Sequence, residues 1–555
     1  MMRVSYQNAN PKQGNESTLL RFTDGETHAC ILIDSGGGVD LDRLLGPDEY
    51  LNAILLTHAH IDHYRTLGKN VRHSAPIYTS PATAAVLEQS LPEAQKDNDL
   101  GNVTAALEAV EPIDGWVSLL DSLDVRPVPA GHTPGGAGFL LRFRDGSGSG
   151  ATDSTLQPTD QHILVTGDFT TQPCAGYPPL ARSYPFDIDA VFLNVPTSDD
   201  TVETRNKAVR TILERAYGGS RVVLATSSLT GVQYAVLLAQ IATDLDRQLP
   251  ITLVGQTARV YDALALDIPG IETREVFDQA STVLDHGAIT IGGPDDPTTG
   301  SAKRLLIEIH DEPADVFVQL TAGSADAVSN ANCTTHYFEV SNHPSVDVID
   351  DLVRGLAPKQ VIVKHANRYG LRTFQRRYDR CFTWGVDDRN EHVLYEDNEW
   401  NAPEWIGEVT ARRIRQKQWN AQQTHSFSTP ANELSIGRTR VDLQAEGIDV
   451  EAIESMFAFP ISNPYDEGAT GSASQTEHEP NAGEPAAGTR EHDTSSGDEA
   501  TKAIPARVLG DGDGETVLHL LEQTELRPGQ VIDISIPDQR IEGESQTAGC
   551  QSPPR

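Results

Sequence analysis

A chain of 555 residues exceeds what one hydrophobic core serves and predicts two to four domains. Its formal charge of −37, from 80 acidic against 43 basic residues, excludes a broadly basic surface. It suits a high-salt cytoplasm, where molar salt cuts the Debye length to ~3 Å. Five scattered cysteines (Cys30, Cys174, Cys333, Cys381, Cys550) argue against a disulfide framework. With no apolar leader or spanning run, the expectation is a soluble cytoplasmic protein with no membrane partner.

Over residues 1–187 short apolar strands alternate with turns, at 18–22, 30–34, 54–56, 77–79, 139–143 and 163–166. Helical patterns fall at 83–91 and 103–109, and 145–160 reads as a Gly- and Ser-rich surface loop. From 187 the rhythm becomes strand–helix alternation, with strands at 189–193, 221–226 and 251–254 and helices at 202–217 and 232–246. That alternation predicts βαβ units on a parallel sheet. A helix at 346–355 and a strand at 358–365 follow. A helix over 371–380 would carry Arg372, Arg376 and Arg380 on one face, as a solvated stripe or a phosphate-binding one. Another amphipathic segment, 402–423, holds Arg412, Arg413, Arg415 and Lys417. The apolar-poor stretch 462–499 reads as a disordered linker. Segments 503–509, 515–523 and 531–536 suggest a small strand–helix–strand module.

The chemistry concentrates at Thr57-His58-Ala59-His60-Ile61-Asp62-His63-Tyr64, directly after the apolar run Ala53-Ile54-Leu55-Leu56. Three imidazoles and a carboxylate in six positions would repel or desolvate one another without a shared cation. Zn²⁺ takes both donor types at about 2.0–2.2 Å. Three further segments end strands in polar residues: Ile31-Leu32-Ile33-Asp34-Ser35-Gly36, Ala130-Gly131-His132-Thr133-Pro134-Gly135 and Leu164-Val165-Thr166-Gly167-Asp168.

These four segments, in this order, resemble the motifs of the metallo-β-lactamase fold, with its His-x-His-x-Asp-His signature. The resemblance extends to the β-CASP nucleases, such as RNA 3′-end processing factors and ribonuclease J. The segment Gly218-Gly219-Ser220-Arg221-Val222-Val223-Leu224 is similar to the opening of their inserted domain. Phe338-Glu339-Val340-Ser341-Asn342-His343 and the strand ending in His365 are similar to their motifs B and C. The implied fold class is α/β: an αββα sandwich with an inserted β-CASP domain and a partly disordered C-terminal extension. Domains are expected at 1–187 (first part of the sandwich), 188–342 (insertion), 343–400 (return segment) and 401–461 (helical extension). A linker at 462–500 and a C-terminal module at 501–541 complete the chain. The acidity would be that of a halophilic, haloarchaeal member.

By the same resemblance, His58, His60 and His132 would hold one zinc and Asp62, His63 and His365 a second, with Asp168 bridging two Zn²⁺ per chain. Asp34 would orient ligands, and His343 would be the general acid. Asn194 stands where relatives carry an acidic residue; it can accept a hydrogen bond from His343. Ser341 and Arg368 are the expected substrate contacts. Thr230-Gly231 replaces the family's Gly-Arg, and Asn342 replaces a glycine. The implied activity is zinc-dependent hydrolysis of RNA phosphodiesters, with single-stranded RNA as partner and a homodimer allowed; His365 favours RNA over DNA. The alternatives are a thioesterase- or lactonase-type hydrolase of small molecules and a DNA-directed nuclease.

Overall fold

Strands whose side chains are apolar on both faces must be covered on both faces, and this decides the architecture. The computed structural model describes residues 2–144, 160–323, 325–422, 434–457, 506–512 and 515–520. In the strand Thr27–Ile33, Ile31 and Ile33 enter one hydrophobic cluster while Cys30 and Leu32 enter another. The first cluster lies between two sheets, the second between a sheet and its helices.

The first sheet has eight strands, in the order Glu399–Trp400, Glu391–Glu396, Met2–Asn8, Thr18–Asp24, Thr27–Ile33, Leu51–Leu55, Ile77–Thr79, Val110–Pro112. The second has seven: Phe382–Trp384, Gln360–Lys364, Ala190–Asn194, Asp160–Val165, Ala137–Arg144, Leu123–Pro129, Val117–Leu120. They pack face to face through edge-on aromatic pairs, with Tyr6 and Phe192 centroids 5.6 Å apart and Phe22 and Phe143 5.8 Å apart. Outside the first sheet, the helix Pro81–Ala94 buries Val86, Leu87 and Leu91. Its start is set by Pro81 in the first turn and by Ser80, whose side chain accepts from the Thr83 N–H. Outside the second, the helices Val346–Leu356 and Arg368–Gln375 bury Ile349, Leu352, Leu371 and Phe374. The result is a helix–sheet–sheet–helix sandwich.

A third sheet of six parallel strands runs Ile271–Arg274, Ile251–Val254, Ile289–Gly292, Val222–Ala225, Val316–Thr321, Thr334–Glu339. Its two faces are covered by different helices, Thr201–Tyr217 and Ser228–Asp244 on one side and Gly300–Ile309 on the other. The chain enters and leaves it through Ala190–Asn194 and Gln360–Lys364, which lie side by side and parallel in the second sheet. The third sheet is therefore an insertion between neighbouring strands.

Four expectations change. The strand ending in Asn194 belongs to the second sheet, so a boundary at 187/188 falls one strand early: its Ala190–Asn194 hydrogen bonds to Asp160–Val165 and Gln360–Lys364 outweigh the local change of rhythm. The helix expected over 371–380 runs instead from Arg368 to Gln375, capped by the Asn367 side chain. Arg376 and Arg380 lie past its end, so the arginine stripe does not form. Residues 515–520 are strand: Glu515–Leu520 pairs antiparallel with Ala506–Gly512. Thr516, Leu518 and Leu520 alternate with Val517 and His519, and Asp513-Gly514 is a hairpin dipeptide, so the period is two. The predicted linker and the rest of the C-terminal module lie outside the described residues, as does nearly all of the 145–160 loop. Met1–Asn463 and Pro464–Arg555 are separate units. Among the described residues no helix is long and apolar enough to cross a membrane.

Candidate metal centre

Strand ends at one edge of the sandwich deliver the polar residues. Asp34 follows Thr27–Ile33, His58 and His60 follow Leu51–Leu55, and His132 follows Leu123–Pro129. Asp168 follows Asp160–Val165, Asn194 ends its own strand, and His365 follows Gln360–Lys364. A single turn of helix, Ile61–Tyr64, turns Asp62 and His63 back towards the same point. Gly167, at φ +56°, lets the Asp168 loop pass against Thr57, whose Cβ would lie 2.8 Å from an added methyl. Asp34 and His365 hold left-handed backbones (both φ +52°) without being glycine, strain of the kind that clusters at functional sites.

Donor atoms converge in four overlapping groups: His58/His60/His132, His58/His63/Asp168, Asp62/His63/His365 and His132/Asp168/His343, each within 4.8 Å. His58 Nε2 lies 3.0 Å and His132 Nε2 3.3 Å from His60 Nδ1. His63 Nε2 lies 3.5 Å from Asp168 Oδ2 and 3.8 Å from Asp62 Oδ2, and His365 Nε2 3.7 Å from Asp62 Oδ2. Donors around a tetrahedral ion with bonds of 2.0–2.1 Å sit ~3.3 Å apart, so the spacing fits. His63 Nε2 is fully buried yet has no hydrogen-bond partner, an open lone pair at the centre of the cluster. The seven expected ligands are thus brought together.

Their electrostatics say the same. Burial opposes charge on His63 and His365, but the carboxylates of Asp34 and Asp168 overcome it and hold both imidazoles above their ordinary pKa, His63 well above. Burial pushes His58 and His132 well below, and His60 below. Asp168 stays well below the usual carboxylate range despite its burial, because of His365 and His63. A carboxylate-rich pocket that gathers protons without a cation is one a cation can occupy.

Supporting contacts fix each ligand. Asp34 Oδ2 accepts from His63 Nδ1 (2.8 Å), while Oδ1 takes the Thr57 N–H (2.8 Å). Asp168 Oδ1 takes His365 Nδ1 (2.8 Å) and the Asn194 amide (2.9 Å). Asn194 therefore serves Asp168 and not His343, since its strand ends beside the Asp168 loop. His343 instead stacks on His132, centroids 4.7 Å apart, with Nδ1 unpartnered; burial lowers its pKa. Ser341 lines the cleft and accepts the His343 N–H at 3.1 Å. Arg368 is not brought to the site: its exposed side chain faces Asp387 at 3.5 Å, because the chain turns away after His365.

Two contributors escaped the sequence reading. Lys364, wholly buried, donates to Asn8 Oδ1 (2.7 Å), Asn15 Oδ1 (3.2 Å) and the Ser17 carbonyl (3.3 Å). It ties down the segment whose Asn15 carbonyl accepts the His365 N–H (3.0 Å). A lysine in the apolar run Val361-Ile362-Val363-Lys364 was the available signal. Arg205, from the insertion, reaches the cleft with no local signal at all. The cleft is about 550 Å³ and runs from His60, His132 and Asp168 to Ser227, Gln233 and Thr321 of the inserted unit.

The sandwich, with its histidine–aspartate edge, is the metallo-β-lactamase fold. Residues 30–170 match the Beta-lactamase superfamily domain, a span that holds six of the seven clustered donors. Ribonuclease TTHA0252 of Thermus thermophilus is 30% identical over 154 residues, 24% of this chain and 36% of that protein. The chain thus spans about a third of that relative's length. Among solved structures, a protein of unknown function from Enterococcus faecalis V583 is similar over 71% of this chain and 100% of its own, at 13% identity and TM-score 0.48. Zn²⁺-bound PqqB from Methylobacterium extorquens is similar over 34% and 62%, at 14% identity and TM-score 0.22.

Proposed function

We propose that this protein is a zinc-dependent ribonuclease of the β-CASP type, acting on single-stranded RNA in a salt-rich cytoplasm. The observation that carries it is the stacking of His343 on His132 at the mouth of a cleft whose far wall is the inserted parallel sheet. An inserted wall suits an extended polymer better than a small substrate. The name of the Thermus relative agrees with this reading.

His58, His60 and His132 would hold one Zn²⁺ and Asp62, His63 and His365 another, with Asp168 shared. The ions supply activation of water and neutralisation of charge at the scissile phosphate. The chain does the rest. Asp34 keeps the His63 proton on Nδ1, leaving Nε2 free. Asn194 holds Asp168 in register. His343, with an unpartnered Nδ1 beside the cluster, gives its proton to the leaving oxygen. The acidic surface is no obstacle at molar salt, where counterion release contributes little.

End-labelled RNA and matched single-stranded DNA, incubated in molar KCl with and without chelator, test the reading. Chelator-sensitive cutting of RNA ahead of DNA is expected. Faster hydrolysis of DNA would move the assignment to a DNA nuclease. Hydrolysis of thioester or lactone substrates without RNA cleavage would move it to a small-molecule hydrolase.

A further inference from the structure

Asn342 sits between the candidate metal ligand His132 and the candidate acid His343. Its main-chain carbonyl lies 3.2 Å from His132 Nδ1, so that nitrogen carries the proton and Nε2 faces the cluster. Its amide nitrogen donates to the His132 carbonyl (3.0 Å) and to Gln233 Oε1 (2.7 Å). One side chain thus clasps the His132 loop, the inserted unit and its own turn.

The remaining atom of that amide, Oδ1, accepts from Arg205 Nη2 at 3.1 Å. Arg205 lies on the helix Thr201–Tyr217 and is buried. Its Nη1 donates to the Glu446 carbonyl and to Gln172 Oε1 (3.3 Å). Glu446 is anchored in turn: its carboxylate takes the Ala175 and Gly176 N–H groups at 2.9 and 2.7 Å. Burying a guanidinium is costly unless its donors are used. Here the planar fork spans two acceptors that a single ammonium point cannot reach together.

We propose that Arg205 is a positioning residue for the metal centre: through Asn342 it fixes the tautomer and orientation of His132. It takes its own bearing from the 434–457 segment through Glu446. The proposal rests on the reading of His132 as a metal ligand. Partners that orient a ligating histidine typically change metal affinity 10–100-fold when lost. Arg205 touches only one end of the cluster, so its effect falls on one site. His63, oriented by Asp34, is out of its reach.

The test is Arg205→Lys, which keeps the charge and loses the fork, with zinc affinities measured by chelator competition and Co²⁺ absorption spectra recorded for each occupancy. The expected result is one affinity lowered at least tenfold and one unchanged, with a changed visible band for one Co²⁺ only. Unchanged affinities and bands would overturn the proposal. Equal weakening of both sites would overturn it too, since that marks a general structural role. If Arg205→Lys fails to fold, Asn342→Asp serves instead: it keeps the acceptor for Arg205 but loses the donor to His132, and the same one-site loss is expected. Wild-type protein that binds no zinc would instead refute the metal reading beneath the proposal.

Discussion

Asp34→Asn is the most exacting perturbation of the centre, because it changes almost nothing but the placement of hydrogens. In the native protein one carboxylate oxygen meets the Thr57 N–H at 2.8 Å and the other meets His63 Nδ1 at 2.8 Å. An amide has a single acceptor oxygen. Turned one way, its NH₂ opposes the Thr57 N–H; turned the other, it opposes the His63 Nδ1 proton. The first leaves a buried main-chain donor unsatisfied, at about 1–3 kcal/mol. The second is relieved only if the His63 proton moves to Nε2, the nitrogen that lies 3.5 Å from Asp168 and would ligate the ion. Either route costs about 1–3 kcal/mol, which corresponds to the 10–100-fold loss of metal affinity typical of such partners. Chelator competition reads that loss, and denaturant unfolding of the metal-free protein reads the stability term. The expected result is weaker binding at the His63 site with the fold retained. Two zinc ions bound as tightly as in wild type would refute the claim that Asp34 sets the His63 tautomer.

Zinc uptake releases protons, because in the metal-free protein His63 and His365 hold theirs above the ordinary value of 6.5. Apparent affinity therefore falls as pH is lowered, with the fall already under way above pH 6.5; a flat affinity across about pH 6 to 8 contradicts this. His343→Ala slows RNA cleavage by about 10²–10⁴-fold while both zincs stay bound. The His343 pKa is lowered by burial, so its proton is lost as pH rises through a value below 6.5. The alkaline limb of kcat/KM should begin there in wild type and vanish in the alanine variant; a limb common to both assigns it to another group. A chain ending at Asn463 keeps metal binding and cleavage, since every ligand precedes it. A chain ending at residue 433 loses Val441, Leu443, Ile448, Ile453 and Phe457 from the core. At about 1.5–3 kcal/mol each, that rivals a domain's whole stability, and a thermal melt matching the full chain would show that the segment is dispensable.

The metal edge was readable because its chemistry is local. Four polar residues within six positions follow one apolar run, and each other ligand ends a strand recognisable from its own composition. The βαβ rhythm of the insertion was readable for the same reason. Contacts that join distant segments leave no periodic trace: nothing near Arg205 announces Glu446, and nothing near Asn194 says that its neighbour is Asp168 and not His343. Arg368 failed as a substrate contact because the left-handed turn at His365, a backbone choice that the residue names do not betray, carries the next helix away from the cleft. The 515–520 segment failed on period: six residues are too few to separate a strand from a helix unless the Asp-Gly turn before them is weighed.

The side-by-side strands Ala190–Asn194 and Gln360–Lys364 also set a schedule for the nascent chain. The first leaves the ribosome long before the second, with the whole inserted sheet between them. The N-terminal strand Met2–Asn8 likewise waits for its partner Glu391–Glu396. At 5–20 residues per second, roughly 20–80 s pass between the first residue and Trp400, during which the histidine pairs near residue 60 exist without His365 or a closed sheet. The six-stranded insertion, whose pairings are internal to 222–339, can be finished in that interval. The sandwich cannot. Its edges stay open until late in translation, so zinc that arrives early meets an incomplete set of donors, and the full coordination sphere becomes a check that synthesis has passed residue 365.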